Sequence, residues 1–162
     1  MKKLLLLVVF VFVVGVAFAA TSPSVTGDAK AEIIAPVTVT HVTASYLNFG
    51  RIASGPSGSV TIPAVASPTA QYITVQKADG GDNVSSDHFT VTHGQTQYSF
   101  NITDNSITLN GPDSATMTVG SFTHSCANPC QDDDVYVGGT LTVGSSQTAG
   151  TYTGQYNVNV TY

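Results

Sequence analysis

The alternation of apolar and polar residues near the C-terminal end is the strongest pattern in the chain. From Tyr152 to Tyr162, even-numbered positions carry Tyr, Gly or Val, and odd-numbered positions carry Thr, Gln or Asn. A period of two with aromatic and β-branched residues is typical of a half-buried β-strand. The pattern therefore predicts a core strand over residues 151–162 that continues to the last residue.

Shorter segments of the same kind follow one another along the chain, and helical periodicity is absent after residue 19. Turn signals rich in Gly, Pro, Asn and Ser separate them, for example at 55–58 and 110–113. The other predicted strands are 33–40, 47–49, 59–62, 71–76, 88–92, 98–102, 106–109, 116–122 and 135–143. Many short strands at this spacing indicate an all-β domain that is either a sandwich or a barrel. We expect one antiparallel β-sandwich over residues 33–162, because two inner faces of alternating residues pack against each other in that fold.

The first nineteen residues have the three parts of a secretory signal peptide. A positive start, Met1–Lys3, precedes an apolar run, and Ala17-Phe-Ala19 supplies the small residues of a cleavage site. We expect cleavage after Ala19, in preference to retention as a membrane anchor, because the apolar run is short for a spanning helix. The signal peptide predicts a secreted chain, and no second such run follows, so no membrane span is expected in the mature chain.

Residues 20–32 are predicted to form an N-terminal arm whose alternation continues without a break toward residue 39. The apolar face of this arm carries Val25, Gly27, Ala29, Ala31 and Ile33. The alternating stretch would extend roughly 50 Å, against about 17–20 Å for an ordinary strand, and Pro36 removes a ladder donor within it. Two interpretations follow: an irregular tail before the first strand, or a detachable arm that pairs with another molecule.

The charge of the chain excludes some classes of partner. Without Lys2 and Lys3, the basic residues are Lys30, Arg51 and Lys77, against ten acidic residues, a formal charge of −7. Nucleic acids and anionic membranes both require a basic surface, so neither is an expected partner. Scarce lysine also leaves few charges to protect sheet edges, so the edges are either covered or used to join strands.

Cys126 and Cys130 are the two cysteines of the chain. In an oxidising compartment we expect a disulfide, which contributes about 2 kcal/mol for so small a loop. The alternatives are a metal site with His124, although no second pair of ligands is visible, and an unpaired state. Asp132–Asp134 is predicted to be a solvated turn rather than a calcium site, since it lacks the spaced ligands of a calcium loop.

No motif for hydrolysis, zinc catalysis or phosphate binding is present. The four histidines and the scattered carboxylates form no recognisable catalytic spacing. The chain is therefore not expected to be an enzyme, and we predict no catalytic residue, no metal ligand and no cofactor.

Several segments together resemble a known family of bacterial secreted domains. The segments are Ala31–Thr40 and Leu47–Ile52 at the opening, Met117–Phe122 in the middle, and Val137–Val143, Gln147–Gly154 and Val158–Tyr162 at the end. They are similar to the pilin-like family named domain of unknown function 4402. The ending also resembles archaic chaperone–usher fimbrial subunits and spore-coat protein U domains.

The resemblance implies an immunoglobulin-like (pilin-like) sandwich that is exported to the periplasm or the bacterial cell surface. In the fimbrial relatives this sandwich lacks one strand, which the N-terminal arm of a neighbouring subunit supplies. The resemblance also implies a periplasmic chaperone, an outer-membrane usher and other pilin-like subunits as partners. Carried over, the donor face is Val25, Gly27, Ala29, Ala31 and Ile33, and one groove edge is Tyr156, Val158, Val160 and Tyr162. The function expected is a structural or adhesin-like subunit that assembles by strand exchange. The alternative is a monomeric extracellular module that binds a glycan or a protein.

Overall fold

The computed structural model describes residues 22–78, 80, 83–94 and 96–162. The predicted signal peptide, 1–19, lies outside the described residues, as do the first two residues of the arm. The chain divides into two units, Met1–Glu32 and Ile33–Tyr162. In the first unit, the described residues 22–32 are exposed and have no regular secondary structure.

The second unit is built from antiparallel strands. In chain order the strands of its described part are β1 Thr38–His41, β2 Gly58–Ile62, β3 Gln71–Ile73, β4 Asp87–Thr92, β5 Ser99–Ile102, β6 Ser106–Asn110, β7 Thr116–His124, β8 Asp134–Val143 and β9 Val158–Thr161. A single turn of 3-10 helix, Pro112–Ser114, links β6 to β7. No helix among the described residues is long and apolar enough to cross a membrane. The prediction of an antiparallel all-β fold is confirmed.

Strand β8 is the centre of a seven-stranded sheet. On one side it pairs with β7, which pairs with β6. On the other side its first half pairs with β4 and its second half with β2, and β1 and β3 extend the sheet from these two strands. The change of partner occurs at Gly138, where a Cβ atom would lie 2.3 Å from the carbonyl oxygen of Ile62. A side chain at this position would therefore force the strands apart.

Strands β5 and β9 form a second, two-stranded sheet, paired from Ser99–Thr161 to Ile102–Val158.

The core has two clusters of buried residues. The first contains Phe89, Val91, Tyr98, Phe100, Cys126, Cys130, Val135 and Val137. The second contains Phe49, Val60, Ile62, Val75, Val119, Leu141 and Val143. Phe122 packs against both clusters, because a β-bulge between Gly120 and Thr123 changes the phase of β7.

Several predicted strands differ in the structure. The predicted strand 47–49 is not a regular strand and forms only the single bridge Asn48–Ser85. The predicted strand 71–76 is regular only over Gln71–Ile73. The first predicted strand begins at Thr38 instead of residue 33, because Pro36 has no N–H to donate to a ladder.

The last predicted strand is regular only over Val158–Thr161. Before it, the chain pairs with the end of β6 at the single bridge Thr153–Asn110. The alternation of residues 152–160 persists in their burial except at Gly154, which is exposed.

Candidate functional site

A cleft of about 1280 Å³ opens in the second unit. One wall is the segment 46–54, and the other wall is the segment 147–157. The floor is the face of β6, β7 and β8 that carries Ile107, Leu109, Met117, Val119, Leu141 and Val143. Of these, Ile107, Leu109 and Met117 are only partly buried, so apolar surface is accessible from within the cleft.

The first wall directs its backbone hydrogen bonds away from the cleft. The bonds are Asn48 N to Ser85 O (2.8 Å), Ser85 N to Asn48 O (3.1 Å), Ala53 N to Gln76 O (2.9 Å) and Ala78 N to Arg51 O (2.9 Å). Alternate residues of an extended segment direct their backbone groups to opposite sides. The N–H and C=O groups of Leu47, Phe49 and Ile52 therefore point toward the cleft.

The second wall has the same arrangement. Thr153 exchanges two backbone hydrogen bonds with Asn110, at 2.8 and 3.0 Å, and Asn157 O accepts from Thr103 N at 3.0 Å. Even-numbered residues of this wall point to the opposite side. The backbone groups of Tyr152, Gly154 and Tyr156 are therefore directed to the cleft. Gly154 permits the wall to approach β6, because a Cβ atom there would lie 2.7 Å from the carbonyl oxygen of Thr108.

Direct hydrogen bonds between the two chain segments close one end of the cleft. Ser54 Oγ donates to Gln147 O at 2.8 Å, and Ser146 N donates to Gly55 O at 2.7 Å. The hydroxyl of Tyr152 donates to Thr148 O and accepts from the side-chain amide of Gln147. The bonds from Ser54 and Ser146 fix the separation of the two walls at this end. The contacts of Tyr152 lie within the second wall and fix its conformation.

A buried carboxylate closes the other end. Asp87, at the start of β4, is 5% exposed. Its Oδ1 lies 2.7 Å from His41 Nε2 and accepts from the backbone N–H of His88 at 2.9 Å. Its Oδ2 accepts from the Tyr156 hydroxyl at 2.7 Å. The carboxylate thus joins β1, β4 and the second wall of the cleft.

Burial, together with the hydrogen bond to Asp87, raises the pKa of Tyr156 far above the usual range for tyrosine. The hydroxyl therefore stays protonated and donates to the carboxylate throughout the physiological pH range. The contact between β4 and the second wall is insensitive to the ionisation of tyrosine in that range.

The residues predicted for the groove edge lie in two places. Tyr156 lines the cleft. Val158 and Val160 lie on β9 and pack against the first core cluster. The Tyr162 hydroxyl donates to Ala35 O at 2.5 Å and lies 3.3 Å from His93 O. These last three residues therefore follow the seam between the first and last strands, beyond the closed end of the cleft.

The predicted donor residues are exposed. Val25, Gly27, Ala29 and Ala31 belong to the described part of the first unit, and Ile33 is the first residue of the second unit. The side chains at the two ends of this face are almost fully accessible, at 96% for Val25 and 98% for Ile33.

Cys126 and Cys130 are joined by a disulfide. His124 Nδ1 lies 3.5 Å from Cys126 Sγ, so the three residues considered for a metal do come together. Both sulfur atoms are used in the disulfide, however, and are not thiolate ligands. In the predicted acidic turn, Asp134 contacts His88 at 2.8 Å and Asp133 contacts His93 at 3.4 Å.

Sequence patterns gave no indication of two parts of this site. No local signal marks Asp87 as a buried residue, because a single acidic residue at the start of a strand is common on protein surfaces. The first wall was predicted only as a short strand, 47–49, and nothing local shows that one of its sides would be unpaired. Both properties depend on segments distant in sequence.

Comparison with known proteins identifies the domain but not a close relative. No curated protein and no solved structure matches the chain significantly. The family model described as Domain of unknown function (DUF4402) matches residues 37–162, which include every strand named above and both walls of the cleft. The chain therefore belongs to the DUF4402 family.

Proposed function

We propose that this protein is a secreted structural or adhesin-like subunit that assembles by β-strand exchange. Its cleft accepts an extended segment from a neighbouring subunit. The observation that carries the proposal is the pair of walls, 46–54 and 147–157, which direct backbone groups toward each other across an apolar floor. A strand is the ligand that satisfies both walls at once.

The first wall has nine residues, 46–54, and a strand of about the same length, which spans roughly 30 Å, would pair along it. Such a strand forms ladder hydrogen bonds with both walls through its backbone. Alternate side chains descend onto Ile107, Leu109 and Met117, which are partly exposed without it. Burial of this apolar surface supplies affinity, and the spacing of the floor residues supplies register.

The N-terminal arm of a second copy is the donor that this chain offers. Residues 22–33 are exposed and alternate apolar with polar positions. Their central apolar residues, Gly27, Ala29 and Ala31, are small, so Val25 and Ile33 at the two ends carry most of the apolar surface of the arm. Asp28, Lys30 and Glu32 lie on the opposite face and would remain in solvent.

The proposed function also implies a fold type, a location and a set of partners. A sandwich that lacks one strand corresponds to an immunoglobulin-like, pilin-like domain. The signal peptide would export it to the periplasm or the cell surface. An open apolar cleft favours aggregation, so a periplasmic chaperone would occupy it first and an outer-membrane usher would exchange the chaperone for the next subunit.

The donor side is tested with the exported protein and two double variants. V25D/I33D places two charges on the apolar face of the arm, and the matched control S24D/T26D places them on the polar face. Light scattering, negative-stain microscopy and unboiled gels should show oligomers or filaments for the wild type and the control, and monomers for V25D/I33D. A wild type that is monomeric at all concentrations would sink the proposal and favour the monomeric binding module.

The acceptor side is tested by M117R, which places a charge on the floor of the cleft. Its matched control is T118R, on the exposed face of β7. In M117R the arm is intact but the cleft can no longer bind a strand. In V25D/I33D the cleft is intact but the arm can no longer insert. Each alone should be monomeric, and an equimolar mixture should form a heterodimer that does not grow. A mixture that remains monomeric would contradict strand exchange.

A further inference from the structure

Strand β5 has a second edge, on the side away from β9. Asn157 O accepts from Thr103 N, and the antiparallel register continues through Asn101–Asn159 and Ser99–Thr161. These odd-numbered residues therefore direct their backbone groups to β9. The backbone groups of Tyr98 and Phe100 point to the opposite side.

The loop closed by the disulfide covers that second edge. Tyr98 N donates to Cys130 O at 3.1 Å, and Cys130 N donates to Tyr98 O at 2.6 Å. One step further along, the side chain of Asn128 takes the place of a peptide group. Its Oδ1 accepts from Phe100 N at 3.0 Å, and its Nδ2 donates to Phe100 O at 3.1 Å.

Three features hold the loop in place and end the pairing there. The disulfide joins two buried sulfur atoms on either side of Asn128. The buried Tyr98 donates its hydroxyl to Asp132 O, just after the loop, at 2.5 Å. Pro129, between Asn128 and Cys130, has no N–H, so the outer side of the loop is a poor template for a further strand.

We propose that residues 126–130 are a plug on a second strand-pairing edge, and that the partner they exclude is the same edge of a second copy. Antiparallel pairing of β5 with β5 of another molecule is self-complementary about a two-fold axis, which gives a closed dimer. Tyr98 and Phe100 of each copy would then pair across the axis in place of Asn128 and Cys130. The plug restricts strand addition to other edges of the molecule.

The test uses the full chain with V25D/I33D in every sample, so that the N-terminal arm does not contribute. N128A removes the substitute peptide group and keeps the disulfide. C126S/C130S releases the loop, and C126S/N128A/C130S does both. The matched control is N105A, at an exposed position in another loop.

Analytical ultracentrifugation should show the triple variant as a dimer, with self-association at least tenfold tighter than in the parent. N128A should be intermediate, and N105A should be monomeric like the parent. In N128A, amide exchange at Phe100 should be about tenfold faster in dilute samples and slower again in the dimer. Exchange in regions far from the loop should be unchanged.

A folded triple variant that stays monomeric at the concentrations where a dimer is expected would overturn the proposal. If the triple variant does not fold, N128A decides the matter, because its disulfide is intact. Unchanged exchange at Phe100 in N128A would show that Asn128 does not cover the edge. Because all samples carry the disabled arm, this result is independent of whether the wild type polymerises through its cleft.

Discussion

The outer edge of β5 and the two walls of the cleft both have backbone N–H and C=O groups that point away from their own sheet partners. At β5 these groups are hydrogen-bonded by the disulfide loop, whereas at the cleft they face an open space. At β5, Cys130 and the Asn128 side chain meet every backbone group of Tyr98 and Phe100. At the cleft, the two walls face each other across an apolar floor with room for a strand between them.

The difference lies in what the chain provides beside each edge. A disulfide loop with Asn and Pro at its tip is a compact cover that gives two donors and two acceptors to β5 and offers little to the next strand. The floor of the cleft instead presents half-buried apolar side chains, among them Ile107, Leu109 and Met117. Under the two proposals above, this chain controls strand addition by covering one edge and leaving another open, although it has very few of the lysines that usually protect edges.

The largest effect is expected where the cleft is closed by Asp87. In D87A, His41, Tyr156 and the N–H of His88 lose their shared acceptor, and the second wall is released from β4. We expect a loss of about 3 kcal/mol in the free energy of unfolding, measured by chemical denaturation. D133A is the control, because that carboxylate is 82% exposed. A loss below about 1 kcal/mol in D87A would contradict the role of this carboxylate in joining the three segments.

A smaller effect is expected at the covered edge. C126S/C130S should lower the free energy of unfolding by about 2 kcal/mol, as expected for closure of a short loop. The strands themselves should persist in the circular dichroism spectrum, since none of the strands β1–β9 contains Cys126 or Cys130. Amide exchange should become faster at Tyr98 by a larger factor than in β2, where only the loss of global stability acts. Equal acceleration in both places would show that the disulfide supports the whole fold and not this edge.

The smallest effect concerns Tyr98, whose hydroxyl anchors the chain just beyond the loop. Burial, with smaller contributions from the charges of Asp132 and Asp133, raises the pKa of Tyr98 from 10.0 to about 12. Its stabilising contribution is complete below pH 10, where the unfolded chain also keeps the proton, and is lost as the pH rises to about 12. The edge cover should therefore weaken only in strongly alkaline solution.

The measurement is tyrosinate absorbance near 295 nm in the wild type and in Y98F. The two titrations should coincide up to about pH 11 and separate by the signal of one tyrosine around pH 12. A difference that appears already near pH 10 would mean that the Tyr98 hydroxyl is accessible to solvent.

Much of the fold was predictable because strand formation leaves a local signal. The alternation in residues 88–92 and 135–143 marks buried faces of β4 and β8, and the spacing of Cys126 and Cys130 in a chain with a predicted signal peptide indicates a disulfide. The phase of β7 was not predictable past Gly120, because the bulge depends on its pairing with β8. The hydrogen bonds of Asp87 and Asn128 could not be predicted either, since their partners lie far away in the sequence.

By itself, the sequence determined that this chain folds as antiparallel β-structure, which side chains face the core in regular strands such as β4 and β8, and to which family it belongs. These properties follow from the period-two alternation and from short segments that need no knowledge of their neighbours. Only the tertiary structure decided which edges are covered and which are open. An edge is covered when a distant segment supplies matching donors and acceptors, as Asn128 does for Phe100, and long-range pairing of this kind leaves no local trace in the chain.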